Sequence, residues 1–496
     1  MRQIRTASPH RTRGRTGRRK AARDAGWVLI LQVLLLGSMT TMAALAVDVG
    51  SFYSRATDLQ KAADAAALAA VVWMPDAPTT ATTVARDAAQ RNGFTHGSNG
   101  ITVDVATVAG NPRQIRVNII DASVPTIFGK LVRNSISMQR DATAEYVLAV
   151  PLGSPSSTFG NQSIGATAPN LWGAISGPYT STVNGDPFAP RCAGSSSATS
   201  CNSSNPDYRE SGYLYAVEVP ASGVGRTLTV EIFDAGFYHR SGSAETGDGR
   251  NAGSTGPPVQ YELFESDVTP LDNTDNASLN GRCTTGPGKL TLAAEASSST
   301  YKNKWTTLCT FTVTRSGVFP LRVRSSNISG MTEVGNGTNQ YSLRSSLSGG
   351  GDQPRVYGIG DMSIFTNASG TSTFYLGDVS PIHAGKTFQI DLFDPGDGGS
   401  GNYFVEILQP GDTMATCKYT DASGVWGSSG SCRIQTRNSS GNVYNGKWVN
   451  IRVELGSTYT CTDCWWKVRY DFGGATPNDR TTWRASILGD PVHLVE

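Results

Sequence analysis

Apolar residues run without a charge from Trp27 to Val47, a stretch of 21 positions bracketed by Asp24 and Asp48. At about 1.5 Å rise per residue this is roughly 31 Å of helix, enough to cross a hydrocarbon core. The helix need not stop there, because no Gly or Pro interrupts Ser51 to Trp73 and Pro75 is the first breaker. Phe52, Ala56, Leu59, Ala63, Ala66, Ala70 and Trp73 recur at alternating spacings of four and three, a seam of mostly small side chains. Such a seam admits close approach, either by a partner helix or by the chain's own next domain. Arg55, Asp58, Lys61 and Asp64 step by three along another face, where opposite charges can pair in solvent. The expectation is a continuous rod of about 45 residues, roughly 70 Å long, half in lipid and half outside.

After the rod, Thr79 to Asn92 reads as a second helix closed by Gly93. Ile101 to Val108 and Gln114 to Ile120 alternate as strands around Asn111-Pro112. A short helix over Val124 to Leu131 and a strand from Ser135 to Val147 complete a small α+β module ending near residue 149. Residues 150–170 are rich in Ser, Gly and Pro and read as a linker.

From residue 171 onward the pattern changes to short β-type runs separated by Gly, Asn, Asp and Ser clusters, and it repeats. Tyr215 to Gly236 aligns without gaps on Tyr375 to Gly396. Lys304-Trp305 then recurs as Lys447-Trp448, the LRVRS run from Leu321 as KVRYD from Lys467, and the run from Tyr341 as the one from Trp483. Alternation such as Leu228, Val230 and Ile232 against Thr227, Thr229 and Glu231 fits strands buried on one face. The expected architecture is multidomain: a basic tail (1–26), a transmembrane helix (27–47), an extended helix with a small α+β module (48–149), a linker (150–170), and two tandem all-β, jelly-roll-like sandwiches (171–350 and 351–496).

Charge fixes the direction of the anchor. Nine of the 42 Lys and Arg fall in the first 26 residues against one of the 40 acids, so the tail is strongly basic and the body slightly acidic. That predicts a single-pass protein of the cell membrane, N-terminus cytoplasmic, with the bulk outside. An acidic body offers no surface for nucleic acid. The competing reading, a signal peptide cleaved after Ala44-Leu45-Ala46, conflicts with an apolar segment longer than a signal core. With 55 Gly and 24 Pro in 496 residues, of which 38% are hydrophobic, the body is turn-rich but not disordered.

All eight cysteines lie on the predicted outer side, where an even number reads as disulfides. Pairing neighbours gives Cys192 with Cys201, Cys283 with Cys309, Cys417 with Cys432, and Cys461 with Cys464. The five His are scattered, and no nucleophile elbow, phosphate loop or zinc motif occurs. No catalytic site and no cofactor are expected. The one candidate cation site is the acidic, Gly-rich loop with Asp394 and Asp397, where calcium competes with an ordinary polar turn. The Trp465-Trp466 pair places one ring on each side of a strand, so a surface glycan is a candidate ligand.

The stretch from Ala25 to Ala70 resembles the N-terminal module of TadE/TadG-like Flp pilus-assembly proteins. The likeness is carried by Leu45-Ala-Val-Asp-Val-Gly50, Phe52-Tyr53, Arg55, Leu59-Gln60 and Ala63-Asp64-Ala-Ala-Ala-Leu-Ala69. The resemblance implies a non-catalytic, membrane-tethered part of a tight-adherence (type IVc) pilus apparatus, with the bilayer and other pilus-assembly or pilin-like membrane proteins as partners. It implies little about residues 171–496. The rival expectations are an adhesin or carbohydrate-binding protein using the same anchor, and an extracellular hydrolase, for which the sequence offers no clustered His or acids.

Overall fold

The computed structural model describes residues 18–495 apart from 75–77, 110, 132, 147–148, 163–170, 191–203, 239–247, 249–255, 268–274, 294–299, 333–334, 336, 367–369, 476–478 and 489–491. The chain forms two compact units, one of residues 1–146 with 492–496 and one of residues 147–491.

In the first unit α1 (Arg18–Val71) is an unbroken helix of 54 residues, about 80 Å long. Its most apolar window has a mean hydropathy of 2.1 and no buried residues, as a segment solvated by lipid requires. The second half of α1 packs against α2 (Pro78–Arg91) and against β2 (Asn111–Pro125) and β3 (Ser135–Tyr146). With β1 (Ile101–Val108) these strands form an antiparallel sheet whose fourth strand is Val492–Val495. Val103, Val117, Ile119 and Ala144 are fully buried under the helices. The C-terminal residues 492–496, expected in the second sandwich, therefore belong to the first unit. A four-residue strand at a chain end carries too short an alternation to show which sheet it joins.

The second unit is a sandwich pair built on one continuous sheet. Trp305–Thr312, Thr227–Phe233, Thr338–Leu347 and Leu171–Ser176 lie side by side, and Asp361–Thr366, Asp479–Ile487, Thr387–Phe393 and Trp448–Glu454 follow in mirrored order. Each copy has a second, smaller sheet, containing Tyr213–Val219 and Gly317–Arg324 in one and Thr371–Asp378 and Trp465–Asp471 in the other.

The join has local two-fold character. Gly173 stands opposite Tyr341, and Ile364 stands opposite Thr481. Tyr341 and Thr481 are equivalent, since the residues after them face Phe233 and Phe393, so the expected match of Tyr341 with Trp483 is wrong by two residues. Gly173 and Ile364 are therefore equivalent too, and they are register partners across the join. Gly173 is needed there, because a Cβ would lie 2.6 Å from the Tyr341 ring.

Register also corrects the sequence alignment of the copies. Arg322 bridges Glu262, and Arg469 bridges Glu406, so Arg322 corresponds to Arg469. Lys289 and Arg433 complete the two clusters from equivalent positions. Matching Leu321 to Lys467 is wrong by one residue, which in a strand exchanges the buried and exposed faces. Residues 150–162, expected as part of a connector, bury Leu152 and Phe159 and pair Thr158–Phe159 with Thr338–Leu347.

Candidate functional site

Four polar residues that follow the apolar span, Asp48, Arg55, Gln60 and Asp64, dock it onto its own module. Asp48, the first charge after the span, is buried. Its carboxylate accepts the backbone N–H groups of Ile127 (2.8 Å), Phe128 (3.1 Å) and Gly129 (2.7 Å). Three amides converging on one carboxylate fix its position and satisfy the donors of a tight loop. One and a half to two turns further on, Arg55 donates through Nε (2.9 Å) and Nη2 (2.7 Å) to Asp121 of β2, and its guanidinium lies 4.5 Å from the Phe94 ring centroid. Gln60 Nε2 donates to Asp64 Oδ1 (2.8 Å) and to the Asp141 carbonyl of β3 (3.1 Å).

The small-residue seam is used inside the chain. Leu59, Ala63, Ala66 and Ala70 have no exposed surface, Phe52, Ala56 and Trp73 are half-buried, and Ala62, Ala67 and Val71 join the contact. A partner helix could reach these residues only by displacing α2 and the sheet, so the seam does not serve as a contact between proteins. The sequence could not decide this, because small side chains pack closely on any neighbour. The charged stripe divides as well. Asp58 and Lys61 are exposed, whereas Arg55 and Gln60-bonded Asp64 turn to the module. A three-residue step falls short of a full turn, so the stripe winds around the helix.

Asp394 and Asp397 sit beside Asp479 in the second unit. Asp394 Oδ1 accepts from Gly446 N (2.8 Å) and Asn442 Nδ2 (3.2 Å), and the same Nδ2 donates to Asp397 Oδ1 at 2.9 Å. Asn442 Oδ1 accepts from Tyr444 N, which fixes the amide with its NH2 group between the two carboxylates. That donor bridges the two Oδ1 atoms, while Asp394 Oδ2 is buried without a hydrogen-bond partner. Among the described residues no group of three or more His, Cys, Asp or Glu side chains is disposed to hold a metal ion. Burial first, then the carboxylates of Asp397 and Asp479, push the Asp394 carboxyl up to about 10. Burial and Asp397 push Asp479 up to about 7.

The origin of this buried carboxyl is the corner that both copies share. Asp234 and Asp394 adopt φ of 53° and 57°, a left-handed conformation that Asp tolerates better than most residues. Their amides donate to the equivalent carbonyls of Lys304 and Lys447, and their carboxylates accept from the amides of Asn303 and Gly446.

Three of the four cysteine pairs form as the sequence predicts: Cys283–Cys309, Cys417–Cys432 and Cys461–Cys464. Cys192 and Cys201 lie outside the described residues. Neither Trp465 nor Trp466 is available to a sugar, because both rings are buried. Trp465 packs edge-on against Tyr375 and Trp466 against Phe388, with Trp466 Nε1 donating to Tyr459 Oη at 3.0 Å.

Residues 26–90 match the Tad family model, Flp pilus-assembly TadE/G-like. The matched segment contains Asp48, Arg55, Gln60 and Asp64, the residues that dock the helix. No curated protein matches the chain. Among solved structures, the tandem CBM22-1-CBM22-2 domain of Xyn10C from Paenibacillus barcinonensis is 8% identical, with 80% of this chain and 92% of that one covered at a TM-score of 0.14. A Red Clover Necrotic Mosaic Virus structure is 12% identical, with 70% and 97% covered at the same TM-score of 0.14. Scores this low carry no argument about either unit.

Proposed function

We propose that this chain is a non-catalytic, membrane-anchored component of a Flp/Tad-type pilus assembly system. Its N-terminus lies in the cytoplasm, and its β-sandwich pair is presented on the extracytoplasmic side. The observation that carries the reading is the hold of Asp48 on residues 127–129 within a unit whose helix matches the Tad family. The first polar residue beyond the apolar span is tied to folded structure, so the anchor continues into the module without a flexible tether. Removal of the helix at a signal site after Ala46 would leave that docking residue at a fraying chain end, which favours retention. The partners of this reading are the bilayer and other pilus-assembly or pilin-like membrane proteins, which would meet the module's exposed surface rather than the Ala seam. Complementation of a deletion strain with the wild-type chain and with Asp48→Ala tests it. Pili counted by electron microscopy should be lost on deletion, restored by the wild type and reduced with the variant; unchanged pili in the deletion strain would sink the reading.

A second reading, a surface adhesin on the same anchor, is favoured by one feature of the smaller sheet of the second copy. Tyr375, 36% exposed, borders an open cleft of about 350 Å³ with Thr373, Asp412, Lys467 and Arg469. An aromatic edge beside charged hydrogen-bonding groups suits a sugar. Glycan-array binding by the detergent-solubilised chain, lost in Tyr375→Ala, would support this alternative.

A further inference from the structure

We propose that the loop Thr126–Arg133 is a second membrane contact, which seats Ile127 and Phe128 in the headgroup and acyl boundary of the same bilayer that α1 crosses. The inference rests on the anchoring reading and adds a lipid-binding surface to it. Its basis is depth. The carboxylate of Asp48, the residue immediately after the apolar span, holds the amides of Ile127, Phe128 and Gly129. Whatever depth the span gives Asp48, the loop shares.

The loop also lies against α1 near that level. Among residues 26–47 of α1 only Ala44 is partly covered. It lies one turn before Asp48 on the same helix face, and the short 3-10 turn Gly129–Leu131 is packed against α1.

Its side chains suit that position. Ile127 and Phe128 are large apolar groups left 50% and 54% exposed. Lys130 and Arg133 beside them are exposed as well, placing cations where lipid phosphates lie. The loop is not a floppy arm. Thr126 Oγ1 donates to the Arg133 carbonyl, Thr126 N to the Asn134 carbonyl at 3.2 Å, and Arg133 N to the Gly129 carbonyl at 2.9 Å. A hydrogen-bonded turn that exposes Ile127 and Phe128 beside Lys130 and Arg133 loses little entropy on entering an interface, where such groups settle about 5–10 Å into the headgroup and acyl boundary.

The full-length chain, reconstituted in phosphatidylcholine and phosphatidylglycerol vesicles, supplies the test. Phe128→Cys and, as an aqueous control on an exposed strand position, Asp104→Cys are each labelled with the fluorophore NBD; the parent protein treated alike gives the background. Vesicle flotation is measured on every sample. The expected result is blue-shifted emission from the label at 128, quenched severalfold more strongly by nitroxide lipid than the label at 104 and protected from aqueous iodide. If the protein floats but the label at 128 matches the control, the anchor stands and the loop contact is wrong. Shielding from iodide without quenching by nitroxide lipid would mean a protein covers the loop, and would equally overturn the lipid assignment. If the protein fails to float, both readings fall.

Discussion

Asp48 and Gly129 lie 81 positions apart in the chain, yet the carboxylate of one accepts the backbone N–H of the other at 2.7 Å. That bond and its neighbours at Ile127 and Phe128 tie the end of the apolar span to the module, ahead of the further ties made by Arg55 and Gln60. Asp48→Ala should leave three amide donors without this partner. Hydrogen–deuterium exchange followed by mass spectrometry should show faster exchange at 127–129, with α2 unchanged. Asp48→Asn should fall between, since an amide oxygen can accept but carries no charge. Equal protection in all three proteins would remove the Asp48 tie from the account.

The buried carboxyl of Asp394 gives the second unit a definite pH dependence. Its folded pKa, near 10, stands far above the ordinary value of 3.8, and that of Asp479 stands near 7. The folded state thus holds protons that the unfolded chain releases. Stability is greatest below about pH 4 as far as these groups are concerned, and it falls as pH rises toward the folded values, by at most about 1.4 kcal/mol per pH unit for each group. Asp394→Asn keeps the position neutral and should raise the thermal midpoint at pH 8 while flattening its decline from pH 5. Thermal melts of the full chain in detergent, followed by tryptophan fluorescence, would measure both. Added calcium should leave the midpoint of the wild type where it was, because the Asn442 amide already bridges Asp394 and Asp397.

Ion clusters at equivalent places in the two copies should respond alike. Glu406 is buried between Arg433 and Arg469, and Glu262 between Lys289 and Arg322, while the cations themselves are 25% to 41% exposed. Glu406→Gln should cost about 1–2 kcal/mol, less than a fully buried pair because water still reaches the cations. Glu262→Gln should cost a similar amount. Urea denaturation midpoints of the two variants would show it, and a loss confined to one copy would contradict the equivalence.

Among the disulfides, Cys417–Cys432 should matter more than Cys461–Cys464, because it closes 15 residues against 3. Loop closure of the longer segment is worth about 3 kcal/mol, and both of its cysteines are buried. Replacing the pair by Ala should lower the urea midpoint of the second unit clearly, whereas Cys461→Ala with Cys464→Ala should shift it little.

How much of this was readable beforehand depended on how local each signal is. The long helix, its stop near Pro75, the three described disulfides and the duplication all rest on short-range spacing, and they appear as expected. The cover over Ala63 and Ala66 was not readable, since the same small seam serves an internal or an external neighbour. Nor was the role of Asp48, whose partners are backbone amides some 80 residues away that leave no mark in side-chain chemistry. The one-residue error at Leu321 and Lys467 sets Leu on Lys and Arg on Val, and the pairing of Arg322 with Glu262 and of Arg469 with Glu406 fixes the register in which the alternations coincide. The junction of the two sandwiches through Gly173 and Ile364 depends on edge strands meeting, which composition does not encode.

Val492 is the register partner of Tyr146, so the last residue before the sandwich pair and the first strand residue after it sit side by side. The chain therefore leaves the first unit and re-enters it at neighbouring places in one sheet. Deleting residues 492–495 would strip that sheet of its fourth strand and leave the edge of β3 unpaired.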